Sequence, residues 1–122
     1  MPAPFVHLRV HSAYSLAEST LRLESIVALA CGDTQPAVAI TDTNNMFGAL
    51  EFTEKMRKSG VQPIIGLECI IADSRGRGEV VLLAQSHPGL LASIHKLAHQ
   101  PRQQQYPSRY KSRLHHLILV LW

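Results

Sequence analysis

The pattern of apolar and polar positions divides the first part of the chain into strands and helices. Residues 5–10 alternate between apolar and polar side chains, as a half-buried strand does. Residues 37–41 carry no charge, which is typical of a strand covered on both faces. Two more strands are predicted over residues 64–72 and 79–84, paired as a hairpin through a tight turn at residues 74–78.

Helical periodicity fills the intervals between these strands. The first predicted helix ends near Cys31, the second runs to Ser59, and the third begins at Ser86 with Pro88 near its first position. Side-chain caps are expected at the first two helix starts, from Ser19 or Thr20 and from Asn44 or Asn45. The apolar positions of the three helices are Leu21, Leu23, Ile26, Val27 and Leu29, then Phe47, Leu50, Phe52 and Met56, then Leu90, Leu91, Ile94, Leu97 and Ala98.

The resulting order, β-α-β-α-β-β-α, indicates an α/β fold with parallel strands and right-handed crossovers. From about His99 the sequence becomes Gln-rich and poor in core-forming residues, which predicts a linker or disorder. The wholly apolar residues 117–122 either form a further strand or leave an apolar end that promotes aggregation. We therefore divide the chain into residues 1–98 and a divergent basic tail, residues 99–122, that is disordered or out of frame.

Composition restricts the class of protein. The chain has 122 residues, of which 46% are hydrophobic and 17% charged, so it is one globular domain or a piece of one. The net charge is +3, but residues 1–99 hold eight Lys and Arg against nine acids, whereas residues 100–122 hold four basic residues and no acid. The basic excess therefore belongs to the tail and is weak evidence for a nucleic-acid surface on the globular part.

The cellular compartment follows from the cysteines and from the absence of long apolar runs. Cys31 and Cys69 do not form a Cys-x-x-Cys or zinc spacing, and lone thiols are typical of a reducing cytoplasm. The N-terminus lacks the basic start and apolar run of a signal peptide, and no run approaches the ~20 apolar residues of a membrane span. A cytoplasmic protein without a membrane partner is expected.

Metal-type side chains follow three of the predicted strands. His11 comes after the first strand, Asp42 after the second, and Glu68 after the strand residues 63–67. Because the carboxyl ends of neighbouring parallel strands meet at one edge of a sheet or barrel, these three side chains are expected to form one site.

The residues around these positions resemble a known family. The segments FVHLRVHSAYS at residues 5–15, AITDTNNMFGA at residues 39–49 and PIIGLE at residues 63–68 resemble, in order and spacing, the PHP (polymerase and histidinol phosphatase) domain. The likeness is strongest to the N-terminal PHP domain of bacterial DNA polymerase III alpha subunits and covers about residues 5–98. It implies a (β/α)7 barrel with metal ligands at its strand ends, of which this chain would be a truncated first part followed by an irregular tail.

The family motifs also indicate what the site would contain. Arg9 stands where the family has the first His of His-x-His, and His11 keeps the second. Glu18 stands where the family usually has Asp. Asp42 is kept, but Thr43 replaces the His that follows it, and Glu68 is kept. A guanidinium has no lone pair for a metal ion, so the resemblance implies a degenerate metal site.

Two interpretations of that site remain open at the level of sequence. His11, Asp42 and Glu68 could hold a single metal ion weakly. Alternatively, Arg9 replaces the metal and pairs with Glu68, Glu18 or Asp42. We favour the second interpretation because gathered carboxylates need a positive charge, which Arg9 supplies. No residue of the chain is predicted to be catalytic.

Three functions are consistent with the resemblance. The first is a scaffold and interaction domain in a DNA-directed DNA polymerase, a nucleotidyltransferase, with Mg²⁺ bound only in a polymerase body outside this chain. Its partners would be the rest of the polymerase chain, a proofreading exonuclease subunit, and DNA through regions outside this chain. The second is an active phosphoesterase, a 3′–5′ exonuclease or a pyrophosphatase, using Mn²⁺ or Zn²⁺. The third is a truncated product without function.

Other candidate residues carry weaker signals. His95 and His99 share one face of the third predicted helix, but they have no third ligand nearby in sequence, so solvated surface positions are expected. Tyr14 either lines the mouth of the pocket or covers the core. His7 has no assigned role.

Overall fold

Two helices and a mixed four-stranded sheet make up the fold in the computed structural model, which describes residues 5–74, 76–86 and 117–121. The helices are α1, Leu23–Gly32, and α2, Ala49–Lys58; the strands are β1, Ala37–Ile40, β2, Gln62–Asp73, β3, Gly76–Ala84, and β4, Leu117–Leu121. The sheet has the order β1-β2-β3-β4, with β1 parallel to β2 and the other neighbours antiparallel. The predicted mixed α/β class is confirmed.

The first predicted strand, residues 5–10, lies beside β1 but is not a regular strand. Its pairing is a single parallel bridge between His7 and Val38. The Ala39 N–H donates to the His7 carbonyl and the Thr41 N–H to the Val10 carbonyl, each at 2.8 Å. Three residues of this segment therefore span the same distance as two residues of β1. The extra residue interrupts the ladder as a bulge does, which is why a continuous strand does not form.

The predicted hairpin is confirmed, and it is longer than expected. β2 and β3 pair antiparallel from Gly66 opposite Leu83 to Asp73 opposite Gly76, so β3 begins inside the segment predicted as a turn. Gly76 has a φ of 142°, a backbone conformation that favours glycine. β4 pairs with β3, with Val81 opposite Val120. Of the two alternatives for the apolar end of the chain, the structure therefore has the strand.

The predicted helix caps are wrong. α1 follows Arg22 and α2 follows Gly48, and neither helix has a side-chain cap. The polar side chains expected to cap them bind loops instead. Ser19 Oγ donates to the His11 carbonyl at 2.8 Å, and Asn45 Nδ2 donates to the Tyr14 carbonyl at 3.0 Å. Thr20 and Asn44 likewise do not cap a helix.

The main core lies between the helices and β1. Its buried members are Leu23, Ile26, Ala30, Val38, Ile40, Phe52, Met56 and Val61. Phe47 and Leu50, predicted to face the core, are instead 79% and 73% exposed. α2 starts only at Ala49, so Phe47 belongs to the preceding loop, and the helix turns its Phe52 and Met56 face inward.

The parallel pair of β1 and β2 positions the site. The backbone beyond β1 continues along β2, with a bridge between Thr43 and Glu68. The Glu68 N–H donates to the Asp42 carbonyl at 3.1 Å, and the Asn44 N–H donates to the Glu68 carbonyl at 2.8 Å. These bonds fix Glu68 beside the loop that carries Asp42 and Thr43.

The third predicted helix, with His95 and His99, lies outside the described residues. Within the described part of the chain, no helix has the length and apolar character needed to cross a membrane.

Candidate functional site

A forked ion pair between Arg9 and Glu68 forms the centre of the site. Arg9 Nη2 lies 2.6 Å from Glu68 Oε1, and Arg9 Nε donates to Glu68 Oε2 at 3.0 Å. The Glu68 side chain is 5% exposed, whereas that of Arg9 is 37% exposed. Two parallel hydrogen bonds fix the plane of the carboxylate as well as neutralising its charge. Arg9 also approaches the exposed Glu79 of β3, at 3.9 Å.

His11 extends this pair into a network. Its Nε2 lies 2.5 Å from Glu68 Oε2, and its Nδ1 lies 3.1 Å from Glu18 Oε2. The same Glu18 oxygen accepts a hydrogen bond from Thr43 Oγ1 at 2.7 Å. An ionised carboxylate only accepts hydrogen bonds, so both ring contacts are hydrogen bonds when the imidazole carries both protons. In that state the site has two cations, Arg9 and His11, and two carboxylates.

Asp42 is held by a different set of partners. Its Oδ1 accepts from the Ser12 N–H at 2.7 Å and from Ser15 Oγ at 2.6 Å, and its Oδ2 accepts from Ser12 Oγ at 2.7 Å. Asp42 and both serines are buried. Ser15 Oγ in turn accepts from the Thr43 N–H at 3.0 Å. The carboxylate therefore fastens the loop after the first segment to the loop after β1.

The six residues predicted for the site thus separate into two groups. Arg9, His11, Glu18, Thr43 and Glu68 form one connected network, whereas Asp42 has its own serine partners. Sequence reasoning missed Ser12 and Ser15. Their spacing of three in a polar loop directly after His11 is the signal that two hydroxyls lie on one side of a turn, and the Ser15 N–H does donate to the Ser12 carbonyl at 2.9 Å.

Arg9 and Glu68 each shift the pKa of the other. Burial by itself would raise the pKa of Glu68, but the hydrogen bonds from Arg9 and His11, together with their charges, outweigh it and lower the pKa below its ordinary value. The hydrogen bond to Glu68 is the largest influence on Arg9 and raises the pKa of its guanidinium, although desolvation acts in the other direction. Each partner therefore stabilises the charged form of the other.

A pH dependence of stability follows from the lowered pKa of Glu68. The folded-state pKa lies below the unfolded one, so the stabilisation is fully present above about pH 4.3 and is lost as the pH falls through the folded value. Urea unfolding between pH 3 and 7 is expected to show a smaller acid loss in Glu68→Gln than in the wild type. The matched control is Glu54→Gln, at an exposed carboxylate on α2. Parallel curves for wild type and Glu68→Gln would contradict the assignment.

The carboxylates do not fit a metal centre in this arrangement. Both oxygens of Glu68 face cationic donors, and both oxygens of Asp42 accept hydrogen bonds from serines. A cation placed at either carboxylate would have to displace those donors and would meet the charge of Arg9. Among residues 5–74 and 76–86, no group of three or more His, Cys, Asp and Glu side chains is arranged to hold a metal ion.

Tyr14 and His7 lie apart from this network. The Tyr14 ring packs over Gly48, where a Cβ would come within 2.9 Å of Cδ2, and its hydroxyl donates to Glu51 of α2 at 3.4 Å. Tyr14 thus lines a shallow cleft between the starts of the two helices. The ring of the exposed His7 makes an edge contact with Phe5, at 4.7 Å between centroids.

Comparison with known sequences finds one matching family and long relatives. A sequence model of the PHP domain matches residues 7–119. The DNA polymerase III subunit alpha of Caulobacter vibrioides is 41% identical over 95 residues, which are 71% of this chain and 8% of that protein. The error-prone DNA polymerase of Symbiobacterium thermophilum is 38% identical over 104 residues, which are 80% of this chain and 9% of that protein. The chain therefore spans less than a tenth of these relatives.

Solved structures share the fold. An amidohydrolase from Chromobacterium violaceum, with bound sulfate and no metal, superposes with a TM-score of 0.63 over 76% of this chain and 32% of its own. The two sequences are 22% identical, so the likeness concerns the fold alone.

Proposed function

Because the chain belongs to the PHP domain family, we propose that it serves as a scaffold and interaction domain of a bacterial DNA polymerase chain related to the DNA polymerase III alpha subunits. In this proposal the parent protein carries out template-directed DNA synthesis in the cytoplasm, with Mg²⁺ bound in its polymerase body. The domain itself is not catalytic, and an internal ion-pair network replaces the metal ions of the family. A DNA polymerase III subunit alpha and an error-prone DNA polymerase are both among its relatives, so either kind is a candidate parent.

The fork of Arg9 on Glu68 is the observation that supports this proposal. A metal centre needs carboxylate lone pairs that point at the cation, and here a guanidinium engages both oxygens of Glu68. His11, the imidazole retained from the family motif, is bound by Glu68 and Glu18. The network joins the first segment and the loop that follows it, the loop after β1, and strand β2. Such a cross-link between separate parts of the chain suits a scaffold.

The partners proposed for the domain follow from the lengths of its relatives. More than nine-tenths of each relative lies outside the matched region, so the rest of the polymerase chain is the first proposed partner. DNA would be reached through those other regions, and a proofreading exonuclease subunit is a further proposed partner.

Metal content of the full-length protein tests the proposal. After incubation with Mn²⁺ or Zn²⁺ and desalting, elemental analysis is expected to find no stoichiometric metal in this domain, since the donors are already engaged. The double variant Arg9→His, Thr43→His supplies two imidazoles and removes the competing charge, so it is expected to gain bound metal. Primer extension by the wild type and by Glu68→Gln is expected to be similar.

The competing function is a metal-dependent phosphoesterase that uses His11, Asp42 and Glu68. Two or more metal ions per wild-type domain would contradict the scaffold proposal. So would Mn²⁺-dependent hydrolysis of a phosphodiester that Glu68→Gln abolishes and that the control variant Glu54→Gln retains.

A further inference from the structure

The loop of residues 12–19 has a buried, hydrogen-bonded base, Ser12 and Ser15, and an exposed tip, residues 16–18. At the base, Ser12 and Ser15 are 0% and 2% exposed, and their three hydrogen bonds to Asp42 are 2.6–2.7 Å long. The Ala13 N–H donates to the Leu21 carbonyl at 2.8 Å, which closes the base. Buried, charge-assisted hydrogen bonds of this kind are costly to break, so the base stays in place when the rest of the loop moves.

The tip is exposed and locally strained. Leu16 is 84% exposed, and Ala17 has a φ of 64°. A residue with a Cβ avoids this left-handed conformation unless its surroundings impose it. The Glu18 N–H and the Ser19 N–H both donate to the Ser15 carbonyl, so the backbone of the tip is bonded to its own loop.

The Glu18 side chain connects the tip to the site. Its Oε2 accepts from Thr43 Oγ1 at 2.7 Å and lies 3.1 Å from His11 Nδ1. These two contacts join the tip to the loop after β1 and to the network, and the Glu18 charge also acts on Arg9. A single carboxylate oxygen of Glu18 therefore holds the strained tip against the imidazole of His11. The His11 side chain is 19% exposed.

We propose that residues 16–18 form a strap that Glu18 latches over the network, and that release of Glu18 opens access to His11. In the closed position the carboxylate covers Nδ1 of His11, and Ala17 is held in the left-handed region. Opening breaks the contacts to Thr43 and His11 and lets Ala17 relax, while the serine bonds to Asp42 remain. The strap operates in this way whether the network is purely structural or admits a metal ion, so it goes beyond the scaffold role.

Chemical modification of the histidines tests the strap in the full-length protein. Diethyl pyrocarbonate modifies an accessible imidazole nitrogen, and trypsin cleavage after Arg9 places His7 and His11 in different peptides. In Glu18→Ala, His11 is expected to be modified about tenfold faster, because charge-assisted hydrogen bonds that hold the closed position are lost. The exposed His7 serves as the internal reference and is expected to react at an unchanged rate. Glu54→Ala is the matched control for removal of a surface carboxylate.

A second variant shifts the equilibrium between the open and closed positions of residues 16–18 toward the closed position. Ala17→Gly removes the strain of the positive φ without touching Glu18, so it favours the closed position and is expected to slow modification of His11 by about threefold. Equal His11 rates in wild type and Glu18→Ala would overturn the strap. Faster reaction of the buried Cys69 thiol with a thiol reagent, together with acceleration of His11 in Glu18→Ala, would also overturn it, because that result indicates general unfolding and not opening of residues 16–18.

Discussion

Replacing Arg9 with methionine is expected to lower the free energy of unfolding by about 3 kcal/mol, at the lower end of the cost of breaking a buried ion pair. Glu68 would remain at a position that is 4% exposed, with His11 as the side chain that still contacts its carboxylate. We place the value at the lower end because the Arg9 side chain is itself 37% exposed and water can reach the vacated space. Urea unfolding at pH 7 measures the change.

Further variants distinguish the effect of losing the ion pair from the effect of losing an exposed arginine side chain. Arg9→Lys keeps the charge but not the fork, so an intermediate loss is expected. The double variant Arg9→Met, Glu68→Met removes both charges and is expected to recover most of the stability, because two well-packed apolar side chains often replace a buried pair without cost. Arg57→Met, at an exposed position on α2, is the matched control. A change of under about 0.5 kcal/mol in Arg9→Met would mean that the fork contributes no stability.

Sequence reasoning was most informative about the residues at the ends of the neighbouring parallel strands. The prediction that His11, Asp42 and Glu68 form one site depends on the direction of neighbouring strands, because the ends of parallel strands lie at one edge. β1 and β2 are parallel, and the backbone beyond Ile40 stays beside β2 as far as Glu68, so the loop that carries Asp42 does lie next to Glu68. His11 reaches Glu68 from the first segment, but the Asp42 side chain binds Ser12 and Ser15 instead. The resemblance to the PHP domain, predicted from three short motifs, is confirmed by the family match over residues 7–119.

The features that could not be predicted depend on competition between possible partners. Ser19 and Asn45 lie shortly before α1 and α2 in sequence, yet both donate to carbonyls of loops in the fold. A local capping rule compares only nearby donors and acceptors, whereas the folded chain offers others. The same reason explains why Asp42 is bound by Ser12 and Ser15, since its partners lie 30 and 27 residues away in sequence.

The burial of Phe47 and Leu50 was predicted wrongly for a different reason. Periodicity assigns a buried face to a helix whose start is known, and the predicted cap, Asn44 or Asn45, lies four or three residues before the observed one, Gly48. With α2 beginning at Ala49, Phe47 falls in a loop and Leu50 lies off the face of Phe52 and Met56. Amphipathic patterns locate an element more reliably than they locate its first turn.

Gly66→Ala is expected to destabilise the domain by about 3 kcal/mol, toward the upper end of the cost of overpacking a core. A Cβ at Gly66 would lie 2.7 Å from the Leu82 carbonyl oxygen and 2.8 Å from both Leu83 Cδ2 and Thr41 Cγ2. The carbonyl belongs to the backbone of β3 and cannot turn aside, so β2 must shift. Because Glu68 lies two residues further along β2, the shift is also expected to weaken its fork with Arg9.

Gly78→Ala provides the matched control, because Gly78 lies in the neighbouring strand β3 and no heavy atom is within 4 Å of the added Cβ. Its expected effect is within about 0.5 kcal/mol of zero, as for most surface substitutions.

A double-mutant cycle of Gly66→Ala with Arg9→Met separates the packing clash at Gly66 from the weakening of the fork between Arg9 and Glu68. If the alanine displaces Glu68, Arg9→Met costs less in the Gly66→Ala background than in the wild type. Equal costs in both backgrounds would mean that β2 accommodates the Cβ without moving the site.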